Sequence, residues 1–319
     1  MINLEKIKVG IPKGLYIYEK PLLFEKFFEN LGFEVVYSKN TDKEILENGI
    51  KYSIDESCLA SKIFMGHVKN LLDRKEKEKI DYIFIPRICS FRNKKSICVK
   101  FFAIYDICKN IFNEKFLTLN IDYEKGESEI NAFLHLGRKL NFKYSKIISS
   151  YLKAKFMQKE YDKKRLLKQY DKIALNTSKP NILIVAHPYL SYDKYIGNEI
   201  TKYLNKMGAN ILYADINKSV FKNSKEYSKF SESIYWDPSI KLLNGISEYL
   251  PYIDGIVYIT AFPCGPDSLV NELLIRKVTT IPSINLIVDE QELGAGLYTR
   301  LESFYDILEQ RQSIKKVSG

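Results

Sequence analysis

Five cysteines stand in this 319-residue chain, and three of them lie where a thiol could act as a ligand. Cys58 falls in Asp55-Glu56-Ser57-Cys58, and Cys264 falls in Phe262-Pro263-Cys264-Gly265-Pro266-Asp267. In both, a loop feeds the start of a predicted helix. Unpaired backbone N–H groups and the helix dipole stabilise negative charge at such a start, so a thiol there is disposed to be a thiolate. Cys98 lies between them in sequence, in Ser96-Ile97-Cys98-Val99-Lys100-Phe101. Three thiolates converging in space make a soft-metal site. Gly265 permits an unusual backbone turn after Cys264, and Pro266 suits a first helical turn.

Other residues are secondary candidates. Cys89 follows the same predicted strand as Cys98 and is a candidate fourth ligand. Cys108 shares helical spacing with Ile104, Ile107 and Ile111 and reads as core. His67 shares a helical face with Ile63, Phe64 and Leu71, which predicts a hydrogen-bonded structural histidine. His187 ends a predicted strand and is a candidate for proton transfer or ligand binding, with a structural role as the alternative. Arg87 ends a predicted strand and is a candidate anion holder. Arg300 is expected to pair with Asp289 or Glu302. Trp236 and the abundant tyrosines carry no readable motif.

The elements that must position these groups repeat. Ile7-Lys8-Val9-Gly10-Ile11-Pro12 is a short buried-strand pattern, Leu22 to Leu31 has helical spacing, and Gly32 is a C-terminal stop. Phe33-Glu34-Val35-Val36-Tyr37 follows as a strand. A strand–helix–strand unit implies parallel pairing and a right-handed crossover. Thr41 can cap a helix through Ile45 and Leu46. Another helix is expected to begin near Asp55 and to carry Leu59, Ile63, His67 and Leu71. Ile80 to Pro86 reads as a third strand, apolar enough to be central.

After a helical stretch near Tyr144 to Ile173, Asn181-Ile182-Leu183-Ile184-Val185-Ala186-His187-Pro188 repeats the opening theme. A helix through Ile196, Ile200 and Leu204 ends at Gly208, and Asn210 to Tyr213 is the next strand. Pro12 to Gly32 spans as many positions as Pro188 to Gly208, and Tyr37 and Tyr213 lie equally far beyond those glycines. Ile80-Asp81-Tyr82-Ile83 has a counterpart in Ile253-Asp254-Gly255-Ile256. The expected fold class is therefore α/β, with two similar doubly wound, mainly parallel-sheet domains of Rossmann or flavodoxin-like type facing a cleft. The expected boundaries are 1–145, a linking helical segment 146–178, and 179–319. Ligands in such sheets bind beyond the carboxyl ends of the strands. Cys89 and Cys98 follow one such strand, and Cys264 follows Ile253 to Thr260.

Composition excludes several classes. Hydrophobic content is 45% and charged content 28%, as in ordinary globular proteins. No run approaches the roughly 18 apolar residues of a membrane span, and the N-terminus does not read as a signal peptide. An odd cysteine count without a secretion signal argues against a disulfide framework and for a reducing cytoplasm. The net charge is +10, but the excess lysine is scattered and no nucleic-acid motif accompanies it, so nucleic acid is not an expected partner.

These motifs resemble a known family. The chain is similar to proteins related to 2-hydroxyacyl-CoA dehydratase components and their activases. They are iron–sulfur proteins of anaerobes, in a wider group that includes benzoyl-CoA reductase subunits and double-cubane-cluster proteins. The most specific part is Phe262 to Val270, followed by Asp289-Glu290-Gln291 and Gly294 to Phe304. Gly10-Ile11-Pro12-Lys13, Asp55 to Cys58, Gly66-His67-Val68, Ile85-Pro86-Arg87 and Ala186-His187-Pro188-Tyr189, with Asp193 beyond it, also look like the family pattern. Gln291 stands where a histidine is expected, Glu292 where a small residue is usual, and Val99 where proline follows the middle cysteine. The likeness does not extend to the actin-like ATPase domain of the activases, and no glycine-rich phosphate loop is present.

The resemblance implies that Cys58, Cys98 and Cys264 bind an iron–sulfur cluster, of the 4Fe–4S type, with one iron left without a cysteine ligand. It implies a separate ATP-dependent activase as electron donor, and a small-molecule or acyl-CoA substrate in anaerobic metabolism. The chain itself would be either a reductase or dehydratase component or an electron relay, and a homodimer is an admissible assembly. Two other readings stand beside this one. One is a zinc protein using three cysteines with His187 or water. The other is a metal-free binding or assembly subunit with the same fold. Iron and sulfide, stoichiometric zinc, or no metal in anaerobically purified protein separates the three.

Overall fold

The computed structural model describes residues 6–91, 95–175, 179–216, 234–291 and 295–318. The chain is a mixed α/β protein with parallel sheets. It divides into two compact units, Met1–Asp162 and Lys163–Gly319.

In the first unit, strand β1 (Lys8–Ile11) lies between β2 (Glu34–Tyr37) and β3 (Tyr82–Ile83), all parallel. The Pro21–Leu31 helix makes the β1-to-β2 crossover. Its Leu23, Phe24, Phe27, Phe28 and Leu31 are buried, the spacing of one helical face. Proline opens it and Gly32 closes it at φ 106°, a conformation that favours glycine. A phenylalanine cluster fills the core. Phe27 meets Phe133 at 4.6 Å between ring centroids, and Phe28 meets Phe84 at 5.0 Å.

The expected strand over Ile80 to Pro86 has a neighbour on each side. Tyr82 and Ile83 pair with β1 and Phe84 N donates to Gly10 O at 2.8 Å, while on the other side Leu117 N donates to Ile83 O at 2.9 Å. Ile85 N donates to Leu117 O at 2.8 Å and Arg87 N to Leu119 O at 2.9 Å. Pro86 has no N–H to continue a ladder. A second parallel pair follows, β4 (Arg87–Ser90) with β5 (Asn120–Asp122). Arg87 therefore opens a strand rather than ending one, and Cys89 lies within β4.

The helix expected to be capped by Thr41 spans Lys43–Lys51 and is capped by Asp42. The Asp42 carboxylate accepts from Ile45 N at 2.9 Å, while the Thr41 hydroxyl is drawn to His67. The next helix, Leu59–Glu78, crosses it with backbones in contact. A Cβ on Gly49 would meet Lys62 O at 2.1 Å, and one on Gly66 would meet Ile45 O at 1.9 Å. Backbone cannot yield as a flexible side chain can. Gly66→Ala is expected to lower unfolding free energy by about 3 kcal/mol, the upper end of ordinary overpacking. A urea midpoint equal to the parent's would refute this.

In the second unit, β6 (Asn181–Val185), β7 (Asn210–Tyr213), β8 (Gly255–Ala261) and β9 (Ser283–Val288) form one parallel sheet in the order β7-β6-β8-β9. The first strand again lies between its two successors. The crossover helix Gly197–Lys206 is followed by Gly208 at φ 103°. All seven residues of β8 are buried, as befits an interior strand.

One helix, Tyr144–Leu175, runs through the boundary between the units. Within the first unit, the buried Gln158 accepts from Leu22 N at 2.9 Å and Leu23 N at 3.2 Å, satisfying N–H groups at a helix start. Within the second unit, the buried Gln169 accepts from Tyr213 N at 2.5 Å and donates to Tyr213 O at 3.1 Å. Arg165 pairs with the buried Asp215 at 3.0 Å. No described helix is long and apolar enough to cross a membrane.

Candidate functional site

Cys58 is the N-cap of Leu59–Glu78 and Cys264 the N-cap of Gly265–Lys277. Both loops therefore feed full helices, and extended backbone at each cysteine turns the chain into the first helical turn. Cys98 is the N-cap of Val99–Phe102, a single turn too short to carry a useful dipole. Cys58 is buried, while Cys98 and Cys264 are half-buried. None of the five cysteines, all within the described residues, is in a disulfide.

In the first unit, three thiol-bearing segments are tied together. Lys62 Nζ donates to Asp55 O at 2.9 Å and folds the loop before Cys58. Lys100 Nζ, two residues past Cys98, donates to Glu56 O in that same loop. Cys89 O accepts from Ile97 N at 3.0 Å and from the Ser96 hydroxyl at 3.1 Å, which joins β4 to the segment entering Cys98. Tyr16 sits against both. Its ring meets Phe91 at 6.3 Å and Phe101 at 6.2 Å, each edge-on. Burial above all, then the charges of Glu19, Cys98 and Cys89, push its phenol far above the ordinary value, so the hydroxyl keeps its proton.

The remaining groups near these segments are committed. Burial, and then the Asp122 charge, push the Cys89 thiol up against the opposing charge of Arg87. Arg87 pairs with Asp106 and lies over the Phe102 ring at 5.7 Å. Cys108 is buried and its thiol donates to Met65 Sδ at 3.4 Å; burial pushes that thiol up as well. His67 is the structural histidine its helical face suggests, held between the Ser38 hydroxyl at 2.9 Å and the Thr41 hydroxyl at 3.0 Å.

In the second unit, Cys264 N donates to Ala261 O at 2.7 Å, and Cys264 O accepts from Ser268 N at 3.1 Å and from the Ser268 hydroxyl at 2.7 Å. The Phe262–Pro263 peptide before it is cis. Asp267, in the first turn after Cys264, is buried and meets His187 Nε2 at 2.8 Å. The His187 ring also stacks on Tyr189 at 5.2 Å. The strand-end histidine and the cysteine helix are thereby joined within one unit. Asp193 accepts from Tyr195 N at 2.9 Å and Ile196 N at 3.2 Å, a turn-forming role. Arg300, expected to pair with Asp289 or Glu302, instead donates to Asn285 O at 2.7 Å, while Glu302 receives the Tyr203 hydroxyl. Gln291 N donates to Asp289 at 2.9 Å, and Glu292 and Gly294 lie outside the described residues.

Among the described residues, no group of three or more His, Cys, Asp or Glu side chains is assembled to hold a metal ion. The donor chemistry nonetheless suits a soft metal: thiols at loop-to-helix junctions in each unit and, in the first unit near Cys89 and Cys98, the buried Tyr16 hydroxyl, which has no hydrogen-bond partner among the described residues. Sequence reasoning missed Tyr16 and the Asp267–His187 pair. Tyr16 is one of 23 tyrosines, so no spacing singles it out. Asp267 was visible only as a neighbour of Cys264.

The family described as CoA enzyme activase uncharacterised domain (DUF2229) matches residues 8–216. No curated protein matches the chain. Among solved structures, the chain is similar to the SBP FpvC of Pseudomonas aeruginosa in complex with Ni2+, at 11% identity over 99% of this chain and 98% of that one, with a TM-score of 0.28. The Mn2+ complex of FpvC gives 11% identity, 99% and 100% coverage and a TM-score of 0.26. A mutant Mn-bound periplasmic metal binding protein from Candidatus Liberibacter asiaticus gives 14% identity, 95% and 100% coverage and a TM-score of 0.24. Superpositions this loose carry no argument.

Proposed function

Because the chain belongs to the CoA enzyme activase uncharacterised domain family, we propose that it is an iron–sulfur protein of the 2-hydroxyacyl-CoA dehydratase-related group, working in ATP-activase-driven low-potential electron transfer or reductive substrate activation. Cys58, Cys98 and Cys264 would hold the cluster, of the 4Fe–4S type. When bound, such a cluster takes up and passes single electrons at low potential. The observation that carries the reading is the tying together of the Cys58 loop, the Cys98 turn and the Cys89 strand through Lys100, Ile97 and Ser96.

The chain's own residues divide the work. Cys58 and Cys264 stand at the starts of full helices, where the helix dipole favours a negatively charged ligand. Phe91 and Phe101 put apolar rings on the Cys89 and Cys98 segments and pack against Tyr16. His187, held to Asp267 through Nε2, is the candidate for proton transfer in the second unit. The partner supplying electrons is a separate ATP-dependent activase, and the substrate class is a small molecule or an acyl-CoA. The odd number of unbridged thiols fits a reducing cytoplasm.

Anaerobically purified protein is expected to be brown, to contain iron and acid-labile sulfide, and to give a cluster EPR signal that changes on reduction. A colourless protein with stoichiometric zinc would replace this reading with the zinc one. Protein without any metal would leave a binding or assembly subunit.

A further inference from the structure

The cluster reading uses the cysteines and leaves Tyr16, lodged among them, without a role. Tyr16 is 4% exposed, and among the described residues its hydroxyl has no hydrogen-bond partner. A buried hydroxyl in that state is unfavourable, and native structures rarely retain one without a reason. The side chain is also prevented from turning away. Phe91, two residues past Cys89, grips the ring on one side, and Phe101, three residues past Cys98, grips it on another. The backbone just before it is strained. Leu15 holds φ 47° and ψ −122°, a conformation side-chain-bearing residues rarely adopt, although it is fully packed. Strain of this kind survives only where the surroundings impose it, and it gathers at functional sites. Gly14 presses the same loop onto the helix that Cys58 begins: a Cβ there would meet Phe64 at 2.8 Å. Tyr16 is thus held against the Cys89 and Cys98 segments, in a loop that packs on the helix Cys58 begins.

We propose that Tyr16 donates its hydroxyl hydrogen bond to a sulfur of the cluster held at Cys98, and so sets how readily that cluster accepts an electron. This inference rests on the cluster reading above. A donor aimed at sulfur favours the more negative, reduced form, and hydrogen bonds to the sulfurs are among the groups that set cluster potentials. Tyr16 is a positioning and tuning residue in this account. It keeps the ring packing whether or not the hydroxyl is present, so Tyr16→Phe removes the donor alone.

The test compares full-length parent and Tyr16→Phe, both purified without oxygen, by EPR-monitored redox titration and by thermal melting with and without the cluster. The variant is expected to retain iron and sulfide while its reduction equilibrium falls about tenfold, a shift of roughly 59 mV for one electron. Metal-free, it is expected to melt at a higher temperature than the parent, because the lone hydroxyl is gone. With cluster bound, that gain should shrink or reverse. Loss of iron from a variant whose metal-free form still melts higher also supports the contact. Equal potentials, with the same melting gain in both forms, would overturn the inference and leave the cluster reading standing. A parent protein that holds no iron and sulfide would sink both.

Discussion

Cys98→Ala protein, purified without oxygen, is expected to lose most of its iron and the EPR signal of the reduced cluster. Cys58→Ala and Cys264→Ala should do the same. Each proposed ligand holds iron through a direct thiolate bond, and alanine offers nothing in its place. Metal that binds only the native state also stabilises it, so the three variants should melt below the cluster-loaded parent and alike to its metal-free form. Cys108→Ala is the contrast. Its thiol packs against Met65 Sδ at 3.4 Å and burial holds it neutral, so the variant should retain iron and lose about 1–2 kcal/mol of packing. Cys89→Ala tests the fourth ligand. Burial and Asp122 disfavour its thiolate, so iron content is expected to stay near the parent's. Normal iron in Cys98→Ala or Cys264→Ala would refute the assigned ligand set.

Mild acid should weaken the first unit well before its carboxylates titrate. His67 lies fully buried between Ser38 and Thr41, and burial, then the Lys13 charge, take its pKa from 6.5 to about 3. The unfolded chain protonates this imidazole below 6.5 and the folded one does not. Its contribution to stability is therefore complete above pH 6.5 and is lost as pH falls toward 3. A shift of that size corresponds to about 5 kcal/mol in full, of which about 2 kcal/mol is gone by pH 5. Glu129 adds a loss in a lower range. Burial raises its pKa, but the Lys20 charge and hydrogen bond, the Tyr151 hydrogen bond and the Lys155 charge outweigh this and take it from 4.5 to about 2. His135 and the Asp267-paired His187 are common to parent and variant, so between pH 6.5 and 5 the difference between the two proteins isolates His67. Urea midpoints at pH 7 and pH 5 should differ in the parent and converge in His67→Gln, which keeps a polar group and does not titrate. A parent midpoint unchanged over that interval would refute the assignment.

Strand–helix–strand units were legible because burial and turns write themselves locally. Pro12 and Pro188 follow the first strand of each unit, Gly32 and Gly208 follow its crossover helix, and their spacing alone revealed two copies of one theme. The second neighbour of the Ile80 to Pro86 strand was not legible. Ile80 to Pro86 is apolar throughout, and nothing in it tells which strand receives each N–H; Leu117 and Leu119, more than thirty residues away, decide that. Capping chose Asp42 over Thr41 because His67 claims the threonine, a contact between separate helices. In the candidate site, the helix start at Cys264 could be read from flanking glycine and proline, and the one at Cys58 from the helical apolar spacing after it. The Lys100 tie to Glu56 and the phenyl clamp on Tyr16 could not, since lysine and aromatics are abundant and their meeting depends on tertiary packing.

Cysteine at the N-cap of Leu59–Glu78 and of Gly265–Lys277 occupies a position where serine, threonine, aspartate or asparagine would serve the helix better. Sulfur accepts hydrogen bonds weakly, so each such choice forgoes on the order of 1 kcal/mol of helix stability. Selection for thermal robustness alone would exchange both cysteines for oxygen-bearing residues. A lineage descended from this fold that ceased to need its thiols should drift first at these two caps, toward aspartate or serine, with the helices otherwise unchanged. The residue standing at each cap in a relative would then record whether that lineage still uses the sulfur.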